Sequence, residues 1–121
     1  MAIRDTATMS KTAVTLRNTK DKSGSRFLEA SLDERGVLRI IGQDMGHGVE
    51  NYYGIGISEY EWIWTVAAND MAKLAKALGA SGVDGVLELL KERFSGPNAD
   101  QLKAFLDDNQ IPHAVWSRVG D

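Results

Sequence analysis

The hydrophobic period of this chain changes near residue 68, and no other feature restricts its fold as much. Up to residue 67 the large apolar residues tend to recur at every second position. The clearest case is Tyr60, Trp62, Trp64 and Val66, set among Glu59, Glu61, Ile63 and Thr65. A period of two means a β-strand with two different faces. Beyond residue 68 the period lengthens: Met71, Leu74, Ala75 and Leu78 fall at i, i+3, i+4 and i+7, one face of a helix. Strands followed by helices make an α+β domain and argue against a βαβ series.

The strands are predicted at 12–18, 26–33, 36–42 and 59–67. Residues 113–119 are either a last strand or an extended tail, giving an antiparallel sheet of four to five strands. Asp33-Glu34-Arg35-Gly36 is a tight turn that closes a hairpin over 26–42. The polar residues from Thr19 to Ser25 read as a turn cluster. From Gln43 to Ser58 a Gly-rich connection is expected, with Gly46 and Gly48 arguing against a helix. Three C-terminal helices follow, at 69–79, 82–94 and 98–108, packed on one face of the sheet. Asn69 or Asp70 suits the first N-cap, and Gly79 its stop. Ser81 to Asp84 has capping-box spacing, and Asn109 suits a left-handed closing position. Residues 1–10 read as a flexible tail and 11–121 as a single domain.

A chain of 121 residues buries roughly two-thirds of its unfolded surface, enough to fold without staples. It has no cysteine, which excludes disulfides, thiolate metal sites and a cysteine nucleophile, and fits a reducing cytoplasm. No apolar run approaches the ~18 residues of a membrane helix, and Met1 to Ser10 lacks the apolar core of a secretion signal. Net charge is −3, unevenly spread. Residues 1–27 carry six basic and two acidic side chains; residues 28–72 carry eight acidic and two basic. An acidic middle attracts basic partners and repels nucleic acid; the plainer consequence is two oppositely charged segments lying side by side in one sheet.

Several constellations could carry chemistry. Asp44, His47 and Glu50 have the residue types of a metal site, although a solvated polar loop explains them as well. Glu59 and Glu61 lie on one side of a strand, about 6.8 Å apart, as an acid–base pair or simply an exposed face. Gly46-His47-Gly48 and Gly54-Ile55-Gly56 do not continue to GxGxxG, so neither cradles a nucleotide phosphate. No Gly-x-Ser-x-Gly pentad is present. Tyr60, Trp62, Trp64 and Trp116 could stack bases, with Arg17, Lys20, Lys22 and Arg26 along the rim, or they could pack under the helices. No catalytic residue, metal site or cofactor is assigned from these patterns.

Three segments taken together carry a resemblance: Gly42-Gln43-Asp44-Met45-Gly46, Glu59-Tyr60-Glu61-Trp62 and Ile111-Pro112-His113-Ala114-Val115-Trp116. The combination resembles small single-domain bacterial proteins of undefined activity, some of them of the toxin-immunity type. The resemblance spans 26–118 and implies one α+β domain with no known active site, so that no catalytic residue is carried over from it.

The expectation is therefore a non-enzymatic binding module. It would meet a basic protein partner through Asp44, Glu50, Tyr52, Tyr53, Glu59 and Glu61, as an acidic immunity-type inhibitor does. One alternative is a sheet that binds single-stranded nucleic acid. Another is a metal-assisted enzyme built on Asp44, His47 and Glu50. A homodimer through an exposed edge strand is compatible with each.

Overall fold

A computed structural model describes residues 12–54 and 56–120. Its centre is one antiparallel sheet of five strands in sequential order: β1 (Ala13–Asp21), β2 (Gly24–Leu32), β3 (Leu38–Met45), β4 (Glu59–Val66) and β5 (Ala114–Gly120). Helix α1 (His47–Tyr53) stands between β3 and β4. Helices α2 (Met71–Leu78), α3 (Val86–Arg93) and α4 (Leu102–Asp108) fill the stretch between β4 and β5. Each of these three is entered through a 3₁₀ turn, at Ala68–Asp70, Val83–Gly85 and Gly96–Gln101. The architecture is the α+β arrangement that the change of period implies.

One face of the sheet is covered. Leu28 and Ala30 of β2, Leu38 and Ile40 of β3, and Trp62 and Val66 of β4 are buried against the helices. The helices contribute Met71, Leu74 and Leu78, then Val86 and Leu90, then Leu102 and Leu106. The i, i+3, i+4 stripe and the strand alternation thus meet in a single core, whose burial supplies most of the folding free energy. Gly42 makes room for it. A Cβ there would lie 2.1 Å from the Trp62 ring, so the indole lies flat over β3. The other face, bearing Glu59, Glu61 and Ile63, carries none of the core-forming helices among the described residues.

The structure shifts several expected boundaries. β1 and β2 run further than 12–18 and 26–33 and meet in a two-residue turn at Lys22 and Ser23. The Asp21 carboxylate stabilises this turn by accepting from the Ser23 N–H (2.8 Å) and hydroxyl (2.7 Å). A register shift between Thr15 and Arg17 turns both Leu16 and Arg17 inward. Residues 113–119 correspond to a true strand, β5. The capping box at 81–84 does not form, because no side chain caps that turn. Gln110, not Asn109, takes the left-handed position (φ 55°). The expected tail, 1–10, lies outside the described residues.

The largest departure is α1, where only a Gly-rich connection was expected. Gly46 enters it at φ 108°, a conformation that strains a side chain. Its N–H donates to the Ser58 carbonyl (2.7 Å), tying the entry of α1 to the start of β4. The Gly48 N–H is one of the free donors of a first helical turn, and it donates to the Ser23 carbonyl (2.9 Å). These long-range bonds make a helix from a segment whose composition alone disfavours one.

Candidate functional site

Sheet register builds the site. Arg26 of β2 stands opposite Asp44 of β3, and Asp44 stands opposite Tyr60 of β4. This row ends the covered face of the sheet, and α1 arches over it. The result is a cleft of about 330 Å³. Asp44, Arg26 and Tyr60 line its sheet side; Val49, Tyr52 and Tyr53 line the helix side; Ser23, Ser25 and Met45 lie at the rim. Its depth depends on the close crossing of Gly24 and Gly46, which brings the β1–β2 turn against the start of α1.

Aromatic rings continue inward from the cleft. Tyr52 meets Tyr53 edge-on with centroids 4.8 Å apart, and Tyr53 lies 5.5 Å from Tyr60. Tyr60 stacks on Trp62 at 5.0 Å, and Trp62 lies 6.3 Å from Trp64. Tyr52 is the most exposed ring of this row (82 % accessible) and Trp62 the most buried (7 %). Tyr53 is 40 % accessible, and burial holds its phenol above its ordinary pKa.

Asp44 is the chemical centre of the cleft. Its Oδ2 lies 3.6 Å from Arg26 Nε, while its Oδ1 is buried with no hydrogen-bond partner among the described residues. Burial raises the carboxyl above its ordinary value, and nearby Arg26 and Arg17 only partly offset this. The side chain is still 22 % accessible. Behind it the buried Arg17 guanidinium donates to Asp100 at 2.6 Å, and its Nε has no partner among the described residues; Arg26 also reaches Asp100, at 3.3 Å. The site therefore holds a partly accessible carboxylate, loosely paired with Arg26, among tyrosine rings. It can take a guanidinium or ammonium group, which would bond the carboxylate and lie against an aromatic face.

The expected partner-binding residues divide. Asp44, Tyr52 and Tyr53 come together in the cleft. Glu50 does not line it: it accepts from His47 at 2.9 Å and from the Gly56 N–H, contacts that hold its carboxyl below the ordinary value. Glu59 and Glu61 point to the opposite face of the sheet. There Arg118 bonds Glu61 (2.6 Å) and Glu59 (3.4 Å), and Gln43 donates to Glu59 (2.7 Å). The acidic middle is thus largely answered within the molecule and does not form one negative surface. Arg26, Met45 and Tyr60 belong to the cleft without having been expected there. The signal for Arg26 and Tyr60 was register, since the 33–36 turn and the following strand pairing bring both beside Asp44.

The alternative constellations fare differently. His47 and Glu50 do meet, but Asp44 turns toward Arg26. Among the described residues no three His, Cys, Asp or Glu side chains converge. The base-stacking set is split: Trp62 is buried and Trp64 half-buried on the helix side, whereas Trp116 stands opposite Ile63 on the open face. Among the described residues no helix is long and apolar enough to cross a membrane. Compared with known proteins, the chain matches no family model, no curated protein and no solved structure.

Proposed function

We propose that this protein is a non-enzymatic binding module that seats a basic side chain of a protein partner in the cleft between Asp44 and the tyrosines. One observation carries the proposal: Asp44 is half-buried, meets Arg26 only at 3.6 Å, has one oxygen without a partner among the described residues and is walled by aromatic rings. An incoming guanidinium bonds the accessible part of the Asp44 carboxylate and stacks on Tyr53 or Tyr60. Such a contact is worth roughly 0.5–2 kcal/mol for the cation–π part, more as water is excluded. Tyr52 and Met45, exposed at the mouth, supply apolar area around this anchor, the usual surroundings of a dominant contact. In its concrete form the module is an immunity-type inhibitor that covers a basic partner. Its specificity would lie in one anchored side chain more than in a broad acidic field.

The test is calorimetric titration of the whole protein with short peptides of equal length bearing arginine, lysine or glutamate. Arginine-bearing peptides are expected to bind best and acidic ones not at all. Equal affinity for all three, or none for any, refutes the proposal.

A further inference from the structure

Among the described residues, exposed large apolar side chains fall in two places. Met45, Tyr52 and Tyr53 surround the cleft; Val115 (57 % accessible), Trp116 (49 %) and Val119 (42 %) all lie on β5. Among the described residues β5 is an edge strand whose one neighbour in the sheet is β4. An edge strand presents a row of unpaired backbone donors and acceptors, and proteins normally blunt it with charge, bulges or a covering element. The other edge is blunted in all three ways. β1 carries the register shift between Thr15 and Arg17, bears Lys20 and Asp21, and is packed by α3 and the 96–101 turn. β5 has an unbroken register with β4, a single charged residue, and all but its last residue exposed.

We propose that β5 pairs antiparallel with β5 of a second copy of this chain, joining two sheets into one across a two-fold axis at Ser117. The occupant follows from self-complementarity. A two-fold axis normal to the sheet keeps each side chain on its own face, so only every second register is allowed. The register centred on Ser117, the middle of the strand Ala114–Gly120, uses its full length. It sets Val115 against the partner's Val119 on the helix side, twice over. On the open face it sets Trp116 against the partner's Arg118. The Arg118 guanidinium already bonds Glu61, which fixes its plane and leaves a face for the indole. Sliding the strands to centre on Arg118 would put the two guanidiniums directly opposite each other. Centring on Trp116 would leave Val115 facing Ser117. The Ser117 register therefore pairs apolar with apolar and cation with ring, and opposes no like charges.

The register is tested by charge substitution at exposed positions, followed by sedimentation equilibrium of the full 13.2 kDa chain. The unmodified protein is expected to be a dimer. Val115→Lys is expected to raise its dissociation constant roughly tenfold or more, since it spoils two symmetry-related pairs. Adding Val119→Glu in the same chain should restore dimerisation to within about threefold, because residue 115 of one copy faces residue 119 of the other. Within one chain those residues are about 13 Å apart along the strand, too far to pair. Val115→Lys with Val119→Lys should stay monomeric. Should Val115→Lys not fold, as judged by circular dichroism, Val119→Lys and its rescue by Val115→Glu ask the same question. A monomer at every concentration, a Val115→Lys dimer as tight as the original, or failure of the added Val119→Glu to rescue would overturn the proposal.

Discussion

Gly24 and Gly46 cross backbone to backbone. A Cβ on Gly24 would lie 1.7 Å from the Met45 carbonyl oxygen, and one on Gly46 2.7 Å from the Gly24 Cα. Both glycines also have positive φ, 135° and 108°. This contact sets the β1–β2 turn beneath α1 and so shapes the mouth of the cleft. Gly46→Ala combines backbone strain with overpacking and should cost about 2–4 kcal/mol. Gly54→Ala is the control: φ is also positive (115°) but nothing lies within 4 Å of the added methyl, so about 1 kcal/mol is expected. Urea unfolding of the two variants measures the difference; equal losses would mean that the crossing does not constrain the fold.

Gly42 and Trp62 form a second tight pair, inside the core. Gly42→Ala drives a methyl into the indole at 2.1 Å and must displace it. A loss of about 3 kcal/mol or more is expected, with a red shift of tryptophan emission as Trp62 leaves the core. A stable Gly42→Ala protein with unchanged emission would contradict the packing described.

Asp44 and Asp100 should respond to pH in opposite directions. The Asp44 carboxyl is raised in the folded state, so its contribution to stability is present below the unfolded value of 3.8 and is lost as pH rises through the folded value. Asp44→Asn should therefore match the original protein near pH 3 and exceed its stability by roughly 0.5–1 kcal/mol at pH 7. Asp100 is lowered chiefly by its hydrogen bond from Arg17, so its contribution is present above 3.8 and is lost as pH falls through the folded value. Asp100→Asn should cost about 1 kcal/mol at pH 7, discounted because Asp100 is 60 % accessible, and little in strong acid. Thermal unfolding from pH 2.5 to 7 resolves both slopes.

Binding should distinguish the cleft from the rest of the acidic middle. Tyr53→Ala is expected to weaken an arginine-bearing peptide about fivefold or more, from loss of an aromatic wall. Glu59→Lys and Glu61→Lys should leave affinity within about twofold, because both carboxylates face the far side of the sheet and are held by Arg118. The reverse ranking would assign the interface to the open face.

Much of this organisation is legible from the amino acids. Alternation around Trp62 and the stripe of Met71, Leu74 and Leu78 give the strand and helix blocks and the covered face, because burial imposes those periods directly. Gly79 stops α2 in the left-handed conformation its position suggested (φ 80°). Helix α1 was hidden because glycine's low helix propensity is overridden here by tertiary bonds from Gly46 and Gly48 to distant carbonyls. The site was half visible. Asp44, Tyr52 and Tyr53 stand out as residue types, but Arg26 and Tyr60 become site residues only through strand register. Glu59 and Glu61 misled because sequence shows charge without the Arg118 that answers it.

The claim that Asp44 anchors a basic side chain is tested most directly by heteronuclear NMR titration. The original protein and Asp44→Asn would each be titrated with an arginine-bearing peptide. Saturable shifts centred on Asp44, Tyr53 and Tyr60 are expected in the original. In Asp44→Asn they should weaken at least tenfold, from loss of a charge-assisted hydrogen bond, while the spectrum stays folded. Shifts that persist unchanged in Asp44→Asn, or that map to Glu59, Glu61 and Arg118, would contradict the account.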